Sequence, residues 1–165
     1  MTGMLRLDDR DVEILRILER EGRITKAELA SRINLSPTPC WERLKRLEEA
    51  GVIEGYGARI ALRLLAPHVT VFVAAELDSH KTDRFQSFEA AVQDIPEVTA
   101  CWALGGGFDY LLQVVARDID AYQRLIDRML AAEIGMARYY TYIVTKTVKA
   151  TAPLPFAALG LPPEA

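Results

Sequence analysis

The sequence predicts an α+β protein made of two parts, and two observations support this prediction. Residues 1–60 contain helical segments with a hydrophobic period of about 3.6 residues, whereas the residues after about 68 alternate strand-like with helix-like segments. The charges divide at the same place. Residues 1–60 hold 11 Lys or Arg and 11 Asp or Glu, and residues 61–165 hold 9 against 12, so the net charge of −3 belongs to the second part. A boundary is therefore expected between residues 56 and 68.

The composition indicates a globular protein and disfavours several classes of site. No apolar run approaches the roughly 18 to 20 residues of a membrane helix, and the N-terminus lacks the pattern of a secretory signal. Cys40 and Cys101 are the only cysteines, and His68 and His80 are the only histidines, so neither a disulfide framework nor a zinc spacing is present. We expect a cytoplasmic protein without a membrane partner, cofactor or metal site.

The first two helices are predicted from their caps and apolar stripes. A helix is expected from about Asp9 to Glu21, with Asp8 or Asp9 as its N-cap. Thr25 then precedes the segment KAELASRI, and Glu28 follows Thr25 at the spacing of a capping box, which predicts a short second helix. Asn34 and the residue after it form a tight turn. Two short helices joined by such a turn are typical of a helix-turn-helix.

The third predicted helix begins with two prolines. If Ser36 is the N-cap, Pro37 is the first helical residue and Pro39 is the third. The N–H groups of these positions have no intrahelical acceptor, so neither proline ring removes a hydrogen bond. The helix is therefore unbroken, and it is expected to end near Ala50 with Gly51 in the C-terminal capping position.

The third helix is predicted to read DNA. Cys40, Leu44 and Leu47 form one inward stripe, which leaves a charged outer face, and an α-helix fits the major groove. For one helix alone, an ordinary solvated face is the competing interpretation. Three short helices followed by GVIEGYGARI, which could form a β wing, favour DNA binding. The residues predicted to contact DNA are Thr25, Lys26, Ser36, Thr38, Trp41, Glu42, Arg43, Lys45 and Arg46.

The second part is predicted to fold as βαββαβ. Residues 69–77 alternate as a strand, TDRFQSFEAAVQDI and IDAYQRLIDRML are amphipathic helices, and VTACWAL, FDYLLQVVA and YYTYIVTKTV are strands. This order predicts an antiparallel four-stranded sheet with both helices on one face. The other face would be apolar and exposed in a monomer, so a homodimer is expected.

Three consecutive glycines, Gly105 to Gly107, separate the second and third predicted strands. A phosphate-binding loop is disfavoured because it requires a strand leading into a helix, and here a strand leads into a strand. We expect instead a hairpin turn whose backbone needs positive φ.

The stretch LSPTPCWERLKRLEEAGVIEGYGARI, preceded by LDDRDVEILRILEREGRITKAELASRINLS, resembles the N-terminal winged helix of the Lrp/AsnC family, the leucine-responsive or feast/famine bacterial regulators. The resemblance extends from about Leu7 to Lys149. It implies a DNA-binding domain joined to a ferredoxin-like domain that senses a small molecule. It also implies dimers that assemble into tetramers or octamers.

The resemblance further implies an effector site. The residues Gly106-Gly107-Phe108-Asp109 are similar to the family's G-x-x-D turn, which lies in an intersubunit crevice where an amino acid binds. Glycine lets backbone amides approach a carboxylate, and Asp109 can accept from an ammonium group. Gly106 and Asp109 are therefore the expected effector residues, and the possible wall is Trp102, Leu104, Ile119, Tyr142 and Val144, each of which also fits plain core or interface. Trp102 and the glycine run imply a pocket whose shape differs from that of the leucine-responsive members, which disfavours leucine as the effector.

The expected organisation is a winged helix-turn-helix at 1–60, a linker at 61–68, a ferredoxin-like effector and oligomerisation domain at 69–150, and a Pro-rich tail at 151–165. The tail is either disordered or placed on a neighbouring subunit. The expected function is a sequence-specific transcriptional regulator that binds double-stranded DNA and responds to an amino acid or amino-acid-like metabolite. An architectural DNA binder of low specificity and a small-molecule enzyme on a dimeric ferredoxin-like fold are the alternatives. No catalytic grouping can be assembled from the sequence, so no enzyme is expected.

Overall fold

A computed structural model describes residues 5–162 of the chain. The described residues divide into two compact units, residues 5–59 with 149–162 and residues 60–148. Each unit has its own hydrophobic core, and we describe each by itself. None of the helices among residues 5–162 has the length and hydropathy needed to cross a membrane.

The first unit contains three helices, α1 (Asp9–Arg20), α2 (Lys26–Arg32) and α3 (Pro37–Glu49). Asp8 caps α1 in a capping box with Asp11, because each side chain accepts the backbone N–H of the other. Thr25 caps α2 by accepting the N–H of Glu28 at 3.2 Å. The predicted helix starts are therefore confirmed. The core between the three helices contains Ile14, Leu29, Ala30, Ile33, Cys40, Leu44 and Leu47.

Both ends of α3 follow the prediction. Ser36 is the N-cap, and Pro37 and Pro39 occupy the first and third helical positions. At the other end Gly51 has φ of 70° and donates its N–H to the Glu48 carbonyl at 3.0 Å, while the Val52 N–H reaches the Leu47 carbonyl at 3.0 Å. These two bonds form a Schellman motif, whose left-handed residue favours glycine.

Residues 52–61, which the sequence predicts could form a β wing after α3, contain no strand in this single chain. Ile53 packs against the core of the first unit, and the Tyr56 hydroxyl donates to the Glu48 carboxylate at 2.8 Å. Gly55 and Gly57 interrupt the segment, and glycine weakens a strand because it loses more conformational freedom and offers no side chain for packing.

The second unit contains β1 (Val69–Leu77), α4 (Thr82–Gln93), β2 (Val98–Ala103), β3 (Tyr110–Ala116), α5 (Ile119–Ala131) and β4 (Met136–Ile143). The strands form one antiparallel sheet in the order β2-β3-β1-β4. The predicted βαββαβ order is confirmed. Short 3-10 helices lie at Leu62–Leu64 and Phe156–Leu159.

The two faces of the sheet differ in what covers them. Val71, Val73 and the alternate residues of β1 point to the face where α4 and α5 pack, and this is the core of the second unit. The opposite face, which we call the open face, carries no helix of the second unit, residues 60–148. A row of paired residues crosses it from β2 to β4, and its members are Trp102, Leu111, Ala74 and Tyr140. Phe72 and Tyr142 pair beside this row.

The C-terminal tail, residues 149–162, is grouped with the first unit. Its Phe156 is 7% exposed, and the Arg16 guanidinium lies over the Phe156 ring at 5.3 Å from the centroid. The sequence left a choice between a disordered tail and a tail on a neighbouring subunit. The structure instead places the described part of the tail on the first unit of its own chain.

Candidate DNA-binding helix and effector site

The turn between α2 and α3 sets the direction of α3 within the first unit. Asn34 has φ of 53°, and the next N–H, that of Leu35, donates to the Ala30 carbonyl at 2.9 Å. Asparagine tolerates this left-handed conformation better than most residues that carry a Cβ. Ser36 then returns to extended backbone, with φ of −72° and ψ of 158°, and α3 begins. The three residues after α2 therefore complete the helix-turn-helix.

The first turn of α3 exposes its hydroxyl groups. Ser36 makes no capping hydrogen bond with its side chain. A capping hydroxyl accepts from the N–H of the second or third helical residue, and the third is Pro39, which has none. Thr38 is also exposed. The prolines thus leave the Ser36 and Thr38 hydroxyls able to face a ligand at the start of the helix.

Trp41 and Lys26 form a second exposed feature on the outer surface. The Lys26 ammonium lies 3.0 Å from the centroid of the Trp41 ring, which is a cation–π contact between α2 and α3. Trp41 is 40% exposed, so one face of the indole is covered by Lys26 and the rest remains open. Two residues predicted to contact DNA are therefore held side by side.

Arg43 and Arg46 have partners within the first unit that the sequence prediction did not foresee. Arg43 Nη1 lies 2.6 Å from Asp8 Oδ2 and 2.9 Å from Asp11 Oδ1, and Arg46 Nη2 lies 2.5 Å from Asp11 Oδ2. The side chain of Asp11 is fully buried. Partial burial raises the pKa of Asp8, but the hydrogen bonds from Arg43 and the Asp11 N–H outweigh it and leave this pKa below its ordinary value. These ion pairs join the start of α1 to the side of α3.

Lys45 is the most exposed of the three basic side chains between Ser36 and Leu47. Its side chain is 60% exposed, against 29% for Arg43 and 47% for Arg46. Its described partner is Glu49, one helical turn later, at 3.5 Å. Exposed pairs of this kind are weak. Glu42 is exposed beside it, whereas the Thr25 hydroxyl is already used as the cap of α2.

The glycine run lies at the tip of the hairpin that joins β2 to β3. None of Gly105, Gly106 and Gly107 has positive φ, so the expectation that this turn needs it is wrong. The hairpin closes where the Leu104 N–H donates to the Asp109 carbonyl at 2.8 Å. Four residues lie between these two, which is long enough for the chain to reverse without a left-handed residue. A Cβ built at any of the three glycines would meet nothing within 4 Å.

Asp109 fastens this hairpin to the end of β1. Its Oδ2 accepts the Leu77 N–H at 2.8 Å, and its own N–H donates to the Ala75 carbonyl at 3.0 Å. Its Oδ1 faces His80 Nε2 at 3.2 Å, and the imidazole stacks on Phe85. The Asp109 side chain is 16% exposed and that of His80 is 72% exposed. No local pattern in the sequence points to His80, because it lies 29 positions from Asp109 along the chain.

The other residues predicted for the effector site are not brought together within one chain. β3 separates Asp109 at its start from Ile119 just beyond its end, a distance of roughly 20 Å or more at the usual rise of a strand. The Val144 N–H donates to the Thr70 carbonyl, which places Val144 near the end of β3 rather than near the hairpin. Trp102 and Tyr142 lie on the open face, and Leu104 lies in the hairpin. A single site with all seven residues would need a second copy of the chain.

Two family models match the sequence. The winged helix-turn-helix DNA-binding model matches residues 7–54, and the Lrp/AsnC ligand binding domain matches residues 70–154. Among curated relatives, the transcriptional regulatory protein DoeX of Halomonas elongata is 57% identical over 88% of this chain and 92% of its own length. The leucine-responsive regulatory protein of Salmonella typhimurium is 41% identical over 87% of each chain.

Solved structures show the same likeness. The transcriptional regulator NMB0573 of Neisseria meningitidis, solved as a complex with L-methionine, superposes with a TM-score of 0.85 at 35% identity, over 93% of this chain and 99% of that one. An AsnC family transcriptional regulator of Agrobacterium tumefaciens has the same TM-score, identity and coverage.

Proposed function

This chain belongs to the Lrp/AsnC family, so it is a DNA-binding transcriptional regulator with a ligand-binding domain, and we propose that α3 reads its DNA site while an amino acid or amino-acid-like metabolite alters that binding. The observation that supports this most directly is the outer face of α3. Its N-cap and first three turns expose Ser36, Thr38, Trp41 and Lys45, and none of these side chains belongs to the core of the first unit. We place this activity in the cytoplasm, with the DNA.

In this proposal the exposed residues have separate roles. The N-terminal half of α3 enters the major groove, where the Ser36 and Thr38 hydroxyls hydrogen-bond to base edges or phosphates. Lys45 contacts phosphate, and the face of Trp41 left open by Lys26 packs on a base or sugar. Arg43 and Arg46 act mainly by holding α1 against α3 through their ion pairs with Asp8 and Asp11.

Lys45→Ala tests the role of α3. Removing one phosphate contact is expected to weaken binding to DNA from upstream of the protein's own coding sequence by about tenfold and to lower the slope of log affinity against log salt by about 1. Fluorescence anisotropy over a salt series measures both. Trp41→Ala is expected to weaken binding without changing the slope, because indole carries no charge.

Lys81→Ala is the matched control, since Lys81 is an exposed lysine in the second unit. Unchanged affinity and slope in Lys45→Ala would show that α3 is not the reading helix. Arg46→Ala is unsuitable here because it also breaks the contact with buried Asp11. Protection that spreads along random DNA without phasing would instead favour the architectural alternative.

We place the effector at the hairpin of residues 106–109. The neighbouring structure of NMB0573 holds L-methionine, which makes an amino acid a suitable ligand class for this chain. Asp109 Oδ2 is occupied by the Leu77 N–H, so Oδ1 is the oxygen able to accept from an ammonium group, with His80 beside it. The exposed amides of the glycine run can meet the carboxylate. A second copy of the chain would supply the rest of the wall.

Calorimetry against the common amino acids tests this site. Asp109→Asn is a better variant than Asp109→Ala, because the amide oxygen can still accept the Leu77 N–H while the charge is lost. We expect binding of the effector to weaken by at least about tenfold. Asp94→Asn, at an exposed aspartate after α4, should bind as the wild type does. Equal binding by Asp109→Asn would remove Asp109 from the site, and no binding by the wild type would reject an amino-acid effector.

A further inference from the structure

The chain leaves the first unit near Arg59 and returns to it at Lys149, so the second unit is tethered to the first at both of its ends. The returning segment is the tail, which follows β4 after only a few residues. Both the entry and the exit of the second unit are therefore positions at which a change within it can reach the DNA-binding unit through the chain.

The tail is attached to α1 by side chains from one face of that helix. Glu19 Oε1 accepts the Leu154 N–H at 2.8 Å, and the Arg16 guanidinium both covers the Phe156 ring and donates to the Pro162 carbonyl. The tail also orders itself locally, because the Leu161 N–H donates to the Phe156 carbonyl at 3.0 Å beside Gly160, whose φ is 74°. A left-handed glycine after a short helix is a typical terminating device.

One apolar side chain anchors the tail. Phe156 is 7% exposed, whereas Leu154 and Leu159 are 59% and 64% exposed. A cleft of about 540 Å³ remains beside the tail, lined on the first unit by Leu7, Leu15, Leu18, Val52, Ile53 and Tyr56. Because the described part of the tail, residues 149–162, buries one large side chain and the groove is incompletely filled, the attachment is suited to reversible release.

α1 also holds the proposed reading helix. Asp8 and Asp11, at its start, pair with Arg43 and Arg46 of α3, while Arg16 and Glu19, further along α1, hold the tail. The same helix is therefore in contact with the tail and with α3. The tail contacts described above lie on α1, whereas Thr38, Trp41 and Lys45 stay exposed on α3. An attached tail thus leaves the proposed DNA surface uncovered.

From these contacts we propose that the groove on the first unit is a docking surface for the chain's own tail, and that docking of Phe156 steadies α1 and raises the affinity of α3 for DNA. The tail then works as a releasable strap between β4 and the DNA-binding unit. For its affinity readout this inference rests on the proposed role of α3 in DNA binding.

Phe156→Ala in the full-length chain tests the strap, with Val148→Ala as the control at a 90% exposed valine just before the tail. Hydrogen exchange followed by mass spectrometry should show exchange in residues 150–162 rising at least about tenfold in Phe156→Ala, with faster exchange in α1 as well. DNA affinity should fall about fivefold or more. Val148→Ala should leave all three quantities near the wild-type values.

Glu19→Ala removes only the acceptor of the Leu154 N–H, so we expect it too to raise exchange in the tail and in α1 and to lower DNA affinity. If Phe156→Ala does not fold, Glu19→Ala tests the strap in its place. Unchanged exchange in the tail would show that Phe156 does not anchor it. A released tail with unaltered α1 exchange and unaltered DNA affinity would show that the strap does not act on α1 or α3. If the wild type binds no DNA, the proposed reading helix fails, while α1 exchange still tests the strap.

Discussion

At the scale of single residues, the DNA-binding unit depends on a buried carboxylate. Asp11 accepts from Arg43 and Arg46, and it also completes the capping box with Asp8. Two arginines that look like DNA contacts in the sequence are therefore engaged with α1. A buried carboxylate keeps its charge at an acceptable free-energy cost only when such partners surround it.

Asp11→Ala is expected to destabilise the first unit by about 2–3 kcal/mol, because it removes a cap and leaves two arginines without their buried partner. Asp9→Ala, at an exposed position two residues earlier on α1, should change stability by less than about 0.5 kcal/mol. Urea unfolding can be followed by Trp41 fluorescence in a Trp102→Phe background, so that the first unit alone is observed. A loss no larger than that of Asp9→Ala would show that the ion pairs contribute little.

At the scale of elements, α3 is directed by the turn that precedes it. The positive φ of Asn34 and the bond from the Leu35 N–H to the Ala30 carbonyl bring Ser36 to the correct extended conformation. The hairpin between β2 and β3 provides a contrast, because its three glycines are exposed without being required for a left-handed backbone. Glycine there is consistent with room for a ligand rather than with turn geometry.

Substitution of Asn34 separates the contribution of its left-handed backbone conformation from that of its side chain. Asn34→Ala should lower the free energy of unfolding by about 1 kcal/mol, because alanine is strained at positive φ, whereas Asn34→Gly should cost less than about 0.5 kcal/mol. The same Trp41 fluorescence measurement applies. If both variants lose equal stability, the asparagine side chain rather than the backbone conformation would be the cause.

At the scale of the whole molecule, the open face of the sheet is the surface that we expect to contact a second copy of the chain. Trp102, Tyr140 and Tyr142 are 46%, 42% and 52% exposed on it, and a contiguous apolar face of this kind marks a site of protein association. We infer a homodimer formed by two such faces, with further assembly to tetramers or octamers as a later step. The dispersal of the predicted effector residues within one chain favours the same arrangement.

Trp102→Glu should therefore shift the protein toward monomers, because it places an unpaired charge in the inferred interface. Leu130→Glu is the matched control: Leu130 is 41% exposed on α5, which lies on the covered side of the sheet. Sedimentation velocity over a concentration series distinguishes the two. A Trp102→Glu protein that sediments as the wild type does would mean that the open face is not the contact.

Local patterns in the sequence were sufficient for most of the secondary structure. The caps at Asp8 and Thr25, the prolines at the start of α3, the inward stripe of Cys40, Leu44 and Leu47, and the order βαββαβ all depend on residues within a few positions of one another. Helix caps and hydrophobic periods are properties of one turn or one strand, so they can be read without knowing what packs nearby.

Long-range contacts determined the rest. The pairing of Arg43 and Arg46 with α1, the approach of His80 to Asp109, and the docking of Phe156 under Arg16 join positions that are far apart in the chain. No local spacing encodes such contacts, because they depend on how complete helices and strands pack against each other. The missing wing and the separation of Asp109 from Ile119 have the same origin: a strand needs a partner to pair with, and a site needs its residues at the same end of a sheet.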